Sequence, residues 1–379
     1  MKVAIAIHRV RPTGGQDRYA LELARRLVAP AALDLITIGA EGKLPPEVGI
    51  KLVRAPRRPM LVTAPLFRRG AAAFVRAGGY DVVHSVGGAL PGASVITAQF
   101  CAAEWQLLSP WSGWYQRLVS AQAVRDERAT YRHPNLAAVI AVSRRTAEEV
   151  KRHYGPLKVP VYVVPNGVDL EAFAPRPEAH VLRGRPRLLF VGAFGRKGLD
   201  IAIRALARLR NDAELRAVGS GDVAFYRRLA ASLGVADKVT IEPPRPEIQA
   251  AFAAADVFLF PTRYEPFGMV IAEALASGVP VVTSSRAGAA DLIRDGESGW
   301  VVADPEDAAA FAVAVDRIFD DPAGWPAMAR AARDAVRGLT WDSVAAQTLE
   351  VYRGVTGGPA PRVPRSSSPG IAPGVAAGA

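Results

Sequence analysis

Two glutamates eight residues apart, Glu265 and Glu273, lie in the stretch RYEPFGMVIAEALASGVP that runs from Arg263 to Pro280. The apolar run Val257-Phe258-Leu259-Phe260 before it predicts a buried parallel strand, which Pro261 ends. Gly268 opens a helical pattern with Val270, Ile271, Ala274 and Leu275 on one face, and Gly278 and Pro280 end that helix. Glu265 then falls at the strand's carboxyl end and Glu273 about one turn into the helix. That edge of an open α/β sheet is where ligands bind. Backbone N–H groups of Phe267, Gly268 and Met269 point out of the helix start, where an anion is stabilised.

A second strand-to-helix turn carries the opposite charge. Arg187 to Gly192 reads as a buried strand; Arg196 and Lys197 follow it, before a helix from about Ile201. Arginine binds phosphate bidentately and lysine binds it as a point charge, so the pair suits a diphosphate. A third turn holds Gly14, Gly15 and Asp17 after a strand over residues 1–10, and paired glycines let a backbone approach a ligand closely. The spacing is not G-x-G-x-x-G, so it gives no support for a dinucleotide cofactor. Gly219 follows the strand at Leu215–Val218, and Arg245 follows the one at Val239–Glu242.

These turns need strands and helices in alternation, and the chain supplies them. A length of 379 residues suggests two or three domains, and 50% hydrophobic residues suffice for sizeable cores. No apolar run reaches the roughly 18 residues of a membrane span. The N-terminal run reads as a strand rather than a signal peptide. One cysteine, Cys101, excludes an internal disulfide and a cysteine-based zinc site, which fits a cytoplasmic location. The net charge of +11 is uneven: residues 1–165 hold 23 Lys+Arg against 11 Asp+Glu (+12), and the remainder 24 against 25 (−1). A basic surface attracts anionic substrates, anionic membrane or nucleic acid. From Pro65 an amphipathic helix is predicted, with Leu66, Phe67, Ala71 and Phe74 on one face and Arg68, Arg69 and Arg76 elsewhere. Residues 104–132 mix Trp105, Trp111, Trp114 and Tyr115 with arginines, which suits a membrane interface, a sugar-binding surface or a domain core. Residues 357–379 have the composition of a disordered tail.

The pattern E-P-F-G-x-x-x-x-E-A-x-A-x-G-x-P-V from Glu265 resembles the donor-site signature of the retaining glycosyltransferases of family 4. The resemblance is strongest over about 160–305 and moderate over 1–160. P-N-G-V-D at 165–169 and D-V-V-H at 81–84 are similar to further family signatures. The family implies the GT-B fold: α/β, with two Rossmann-like doubly wound parallel-sheet domains facing across a cleft. The expected divisions are 1–165, a linker over 166–187, a donor-binding domain over 188–340, a helix over 341–356 crossing back, and the tail.

The resemblance also implies roles. Lys197 and Arg196 would neutralise the departing diphosphate. Glu265 would accept hydrogen bonds from the transferred sugar, and Glu273 from the ribose. Phe267, Gly268, Met269 and Val270 would donate backbone N–H groups. Gly14, Gly15, Gly192 and Gly219 would give the donor close approach, Arg245 would flank the base, and Asp17 would stand among the reacting groups. On the acceptor side it points to His84, Glu104 and Gln99, which stands where most members have a histidine. That departure and the R-K-G-L-D loop place the pattern nearest the lipopolysaccharide-core glucosyltransferase branch. The chain has no D-x-D motif, so no metal and no cofactor are expected beyond a nucleoside diphosphate sugar, most often uridine-linked, as co-substrate. The expected acceptor is a cell-envelope glycan or lipid-linked molecule, with an anionic membrane surface as a further partner at the inner face and no nucleic acid. A nucleotide-sugar epimerase, a dinucleotide oxidoreductase and a decayed, non-catalytic transferase are the competing readings.

Overall fold

The structure, a computed structural model, describes residues 1–12, 14–108, 113–175 and 185–365. Trp111, part of the expected linker (176–184) and the tail beyond 365 lie outside the described residues. The chain forms two compact units: Met1–Gly167 with residues 341–365, and Val168–Thr340.

The first unit is built on seven parallel strands: β1 (Lys2–Ala6), β2 (Ala32–Thr37), β3 (Gly49–Leu52), β4 (Val82–Val86), β5 (Val95–Ala98), β6 (Ala138–Ala141) and β7 (Val161–Val163). Their order is β3-β2-β1-β4-β5-β6-β7. The second unit has six: β8 (Arg187–Ala193), β9 (Glu214–Ser220), β10 (Val239–Glu242), β11 (Val257–Phe260), β12 (Val281–Ser284) and β13 (Gly299–Val302), in the order β10-β9-β8-β11-β12-β13. Every pairing in both sheets is parallel. The strand order reverses between β1 and β4 and between β8 and β11. Those are the switch points at which doubly wound sheets bind ligands. Helices cover both faces, which is why central strands such as β11 are apolar throughout and fully buried.

Local sequence explains the helix ends. Ser143 accepts from the Thr146 N–H and caps the helix Arg144–Tyr154, and Asp307 does the same for Ala308–Phe319. Trp341–Val355 belongs to the first unit. There Tyr352 lies in the core, its hydroxyl 2.6 Å from His84 Nδ1, and the close approach at Gly167 leaves only 2.8 Å between a notional Cβ and the Trp341 nitrogen.

Two expectations change. The helix predicted from Pro65 runs from Met60 to Gly78 with Pro65 inside it. Phe67 and Ala71 are buried as expected, but Leu66 faces solvent. The tail composition begins at 357, yet residues up to 365 are held: Val163 donates its N–H to the Pro364 carbonyl, Arg365 lies over the Tyr162 ring, and Val363 is buried.

Candidate active site

The switch point of the second sheet gathers the chemistry. After β8 the chain makes one helical turn, Phe194–Lys197, closed by Gly198 in the left-handed conformation (φ 80°). Phe194 is fully buried against Phe190 and Tyr226 and anchors the turn. Lys197 lies back across Gly192, whose notional Cβ would stand 3.1 Å from the lysine Cγ. Its ammonium sits 5.2 Å from the centre of the Phe260 ring, and the residue is only 8% exposed.

From the loop after the adjacent β11, Glu265 meets this lysine: its Oε2 is in direct contact with Lys197 Nζ and 3.6 Å from Arg196 Nη1. Arg196 also donates to the Tyr264 carbonyl at 2.8 Å. The Glu265 loop is pinned at both sides. Its N–H bonds the Arg286 carbonyl, its carbonyl accepts from Gly288, and Phe267 accepts from Ala289 at 2.6 Å. Gly268 adopts φ 107°, a conformation that favours glycine, and opens the helix Met269–Ala276. The first helical turn bonds from Ile271 back to the Gly268 carbonyl. The N–H groups of Met269 and Val270 precede that ladder, as first-turn donors do. Glu273 lies on this helix and is buried.

Burial and the neighbouring Arg196 lower the Lys197 ammonium well below its ordinary pKa, and burial lowers Arg196 as well. A buried lysine and a half-buried arginine thus share one carboxylate. Such a site gains from an incoming anion, because each desolvated charge needs a partner. Two further donor-side residues, Gly219 and Arg245, belong to the same unit. Gly219 on β9 leaves no room for a side chain, since a Cβ would lie 1.9 Å from the Gly192 carbonyl oxygen. Arg245, after β10, is paired with Glu242, which also takes a fork from Arg216 at 2.8 and 3.1 Å.

In the first unit, Gly14 (φ 91°) and Gly15 are exposed at the start of the helix Gly15–Leu27, with open space around the Gly14 Cα. Asp17 accepts from Arg11 Nε at 2.5 Å, and burial raises its pKa. The acceptor-side expectations need correction. His84 is fully buried, with Nδ1 on Tyr352 and Nε2 2.7 Å from the Thr97 hydroxyl. Burial brings its pKa down to about 3, so it is a neutral core group tying Trp341–Val355 to the sheet. Glu104 is buried too, held by His153 at 2.7 Å, Arg152 at 3.4 Å and Arg145 at 3.7 Å. It fastens helices together. Gln99 exchanges two 3.3 Å hydrogen bonds with the Asn166 amide and is buried. The reading by sequence also missed Arg263, which donates to five oxygens beside Arg196 and Lys197. Its place two residues before the E-P-F-G pattern was the available signal.

The family model described as Glycosyltransferase Family 4 matches residues 13–172, and that of Glycosyl transferases group 1 matches residues 185–321. The D-inositol 3-phosphate glycosyltransferase 1 of Catenulispora acidiphila is 32% identical over 387 residues, covering 90% of this chain and 90% of that protein. The D-inositol 3-phosphate glycosyltransferase of Arthrobacter sp. (strain FB24) is 37% identical over 231 residues, 56% of this chain and 55% of the relative, so that match spans about half the length of the relative. Among solved structures, WaaG, a glycosyltransferase involved in lipopolysaccharide biosynthesis, superposes with a TM-score of 0.79 at 24% identity, covering 94% of this chain and all of that one. The fold is GT-B, and the chain belongs to the family 4 glycosyltransferases. It is a transferase enzyme. The relatives matched by sequence carry inositol-phosphate names, and the likeness to WaaG speaks for the fold alone.

Proposed function

We propose that this chain is a retaining glycosyltransferase. It moves a sugar from a UDP-linked donor to an anionic or lipid-linked acceptor of the cell envelope, without a metal ion. The observation that carries the reading is the meeting of Lys197, Arg196 and Glu265 at the β8–β11 switch point. The cations would receive the diphosphate as its charge grows, an electrostatic task best done by preorganised groups. Glu265, already oriented by the lysine, would accept from sugar hydroxyls, and Glu273 from the ribose. Transfer is front-face: the sugar's bond to the diphosphate breaks, the acceptor oxygen bonds on the same side, and the leaving phosphate oxygen takes the acceptor proton. An anionic acceptor is supported by the charge of residues 1–165 and by relatives named for a phosphorylated polyol.

The test is a panel of nucleoside diphosphate sugars, run with and without a chelator, on native protein and Glu265→Ala. One donor should be bound and slowly hydrolysed in both conditions. In the variant, affinity for that donor should fall about tenfold, the worth of hydrogen bonds to a charged group, while affinity for the bare nucleoside diphosphate holds. Loss of both together, or no donor bound by native protein, refutes the assignment.

The second part of the proposal is attachment to an anionic bilayer. Among the described residues no helix is long and apolar enough to cross a membrane. The helices Met60–Gly78 and Trp114–Tyr131 run side by side, Met60 N–H to the Tyr115 hydroxyl and Arg68 to Asp126. Met60, Val62, Leu66, Trp114 and Leu118 are exposed at their adjoining N-terminal ends, Trp114 by 74%. Residues 48–80 carry one lysine and six arginines and no acid. Vesicles with phosphatidylglycerol should carry the protein in flotation, and phosphatidylcholine vesicles should not. Replacing Arg57, Arg58 and Arg69 by alanine should cut partition by about two orders of magnitude, at roughly 1 kcal/mol each. Failure to float with either vesicle ends this part of the proposal.

A further inference from the structure

Arg263 uses every donor it has. Its Nε donates to Glu306 Oε1 at 2.6 Å, and Nη1 to the Gly195 carbonyl at 2.7 Å and Asp200 Oδ1 at 2.9 Å. Its Nη2 donates to Asp200 Oδ2 at 2.8 Å and Glu306 Oε2 at 2.9 Å. Its backbone N–H bonds the Arg196 carbonyl at 3.0 Å. An exposed ion pair contributes little by itself. A guanidinium that forks onto two carboxylates and also holds a carbonyl fixes geometry, which an ammonium with three donors cannot reproduce.

Its partners matter more than their number. Gly195 belongs to the four-residue turn that bears Arg196 and Lys197, and Asp200 lies on the helix that follows. Glu306 lies in the segment after β13, and Arg263 itself is two residues before Glu265. One side chain therefore joins three loops at the carboxyl edge of the sheet. A single helical turn has little stability of its own, so its placement depends on such anchors.

We propose that Arg263 is a positioning residue for the donor's diphosphate: it touches no substrate, and it holds the Arg196–Lys197 turn in register with Glu265. The inference rests on the donor reading given above.

The experiment is titration calorimetry with UDP, uridine and inorganic pyrophosphate, together with melting midpoints, on native protein, Arg263→Lys, Glu306→Gln and Lys197→Met. If the donor panel selects another base, that nucleoside and its diphosphate replace uridine and UDP. Arg263→Lys should weaken UDP and pyrophosphate about tenfold, the scale of one charge-assisted contact. Its uridine affinity and melting midpoint should stay near native. Glu306→Gln, which removes one arm of the fork, should give a smaller loss in the same direction, and it keeps the test alive if Arg263→Lys does not fold. Unchanged diphosphate affinity in both variants overturns the proposal, and so does a parallel loss of uridine. If Lys197→Met loses pyrophosphate while these two keep it, the donor reading stands and the role of Arg263 falls. Native protein that binds no nucleoside diphosphate removes both.

Discussion

Lys197→Met is expected to lower donor turnover by about 10²–10³-fold, the scale seen when one preorganised donor to a developing oxyanion is removed. Methionine keeps the stem that crosses Gly192 and covers the Phe260 ring, so the loss isolates the charge from the packing. Folding should persist, because Arg196 stands 3.6 Å from the carboxylate that loses its lysine. The pH dependence has a definite sign. Burial and Arg196 depress the lysine's pKa well below 10.5, so in the free protein it loses its proton earlier on the alkaline side than an exposed lysine does. A bound diphosphate favours the charged form, so binding takes up a proton. Affinity for the diphosphate should therefore fall as pH rises through the depressed value, and this limb should vanish in Lys197→Met. Initial rates and calorimetry in two buffers of different ionisation enthalpy read both effects. A loss of less than tenfold in kcat, or an alkaline limb unchanged by the substitution, would mean that the lysine does not meet the leaving group.

The sheets were legible where strands are buried on both faces. Val257–Phe260 and Leu188–Val191 stand out as continuous apolar runs because helices cover them above and below. The edge strand Gly49–Leu52 was not legible, since Ile50 and Leu52 face solvent and the run is short. The strand Gly299–Val302 was missed as well, being four residues that open on a glycine. The two charged turns were legible singly, from residue type and position after a strand. Their meeting was not, because it follows from β8 lying beside β11, a fact of topology rather than of spacing. His84 and Glu104 misled for a related reason. A polar residue near a strand end reads as a site until its partners are known, and one of the two partners of His84 is Tyr352, 268 positions on. Arg263 read as an ordinary loop residue because its carboxylates, Asp200 and Glu306, come from turns distant in sequence.

Gly198→Ala is expected to damage the second unit more than any other single methyl group added to the turn. Gly198 stands at φ 80°, where an L side chain is strained by about 1 kcal/mol or more. Its notional Cβ lies 2.1 Å from the Pro261 carbonyl oxygen. That neighbour is backbone, so no side-chain rotation relieves the contact; the turn and the end of β11 must separate. Together these put the cost at about 3 kcal/mol or more, in the range reserved for named backbone clashes. For a unit of this size that corresponds to a fall of roughly 6–12 °C in melting midpoint. Gly195→Ala is the control, because it lies in the same turn and its Cβ would meet only the Tyr226 hydroxyl at 3.8 Å. It should melt close to native. The surviving folded fraction of Gly198→Ala should also bind diphosphate more weakly, because the displaced turn carries Lys197 with it. Equal midpoints for the two variants would show that the turn yields easily. In that case the close contact at Gly198 could not be what holds the cations beside Glu265. If the difference appears, the glycine that follows Lys197 is required by packing against Pro261 as much as by the phosphate, and stability and donor recognition depend on the same few atoms.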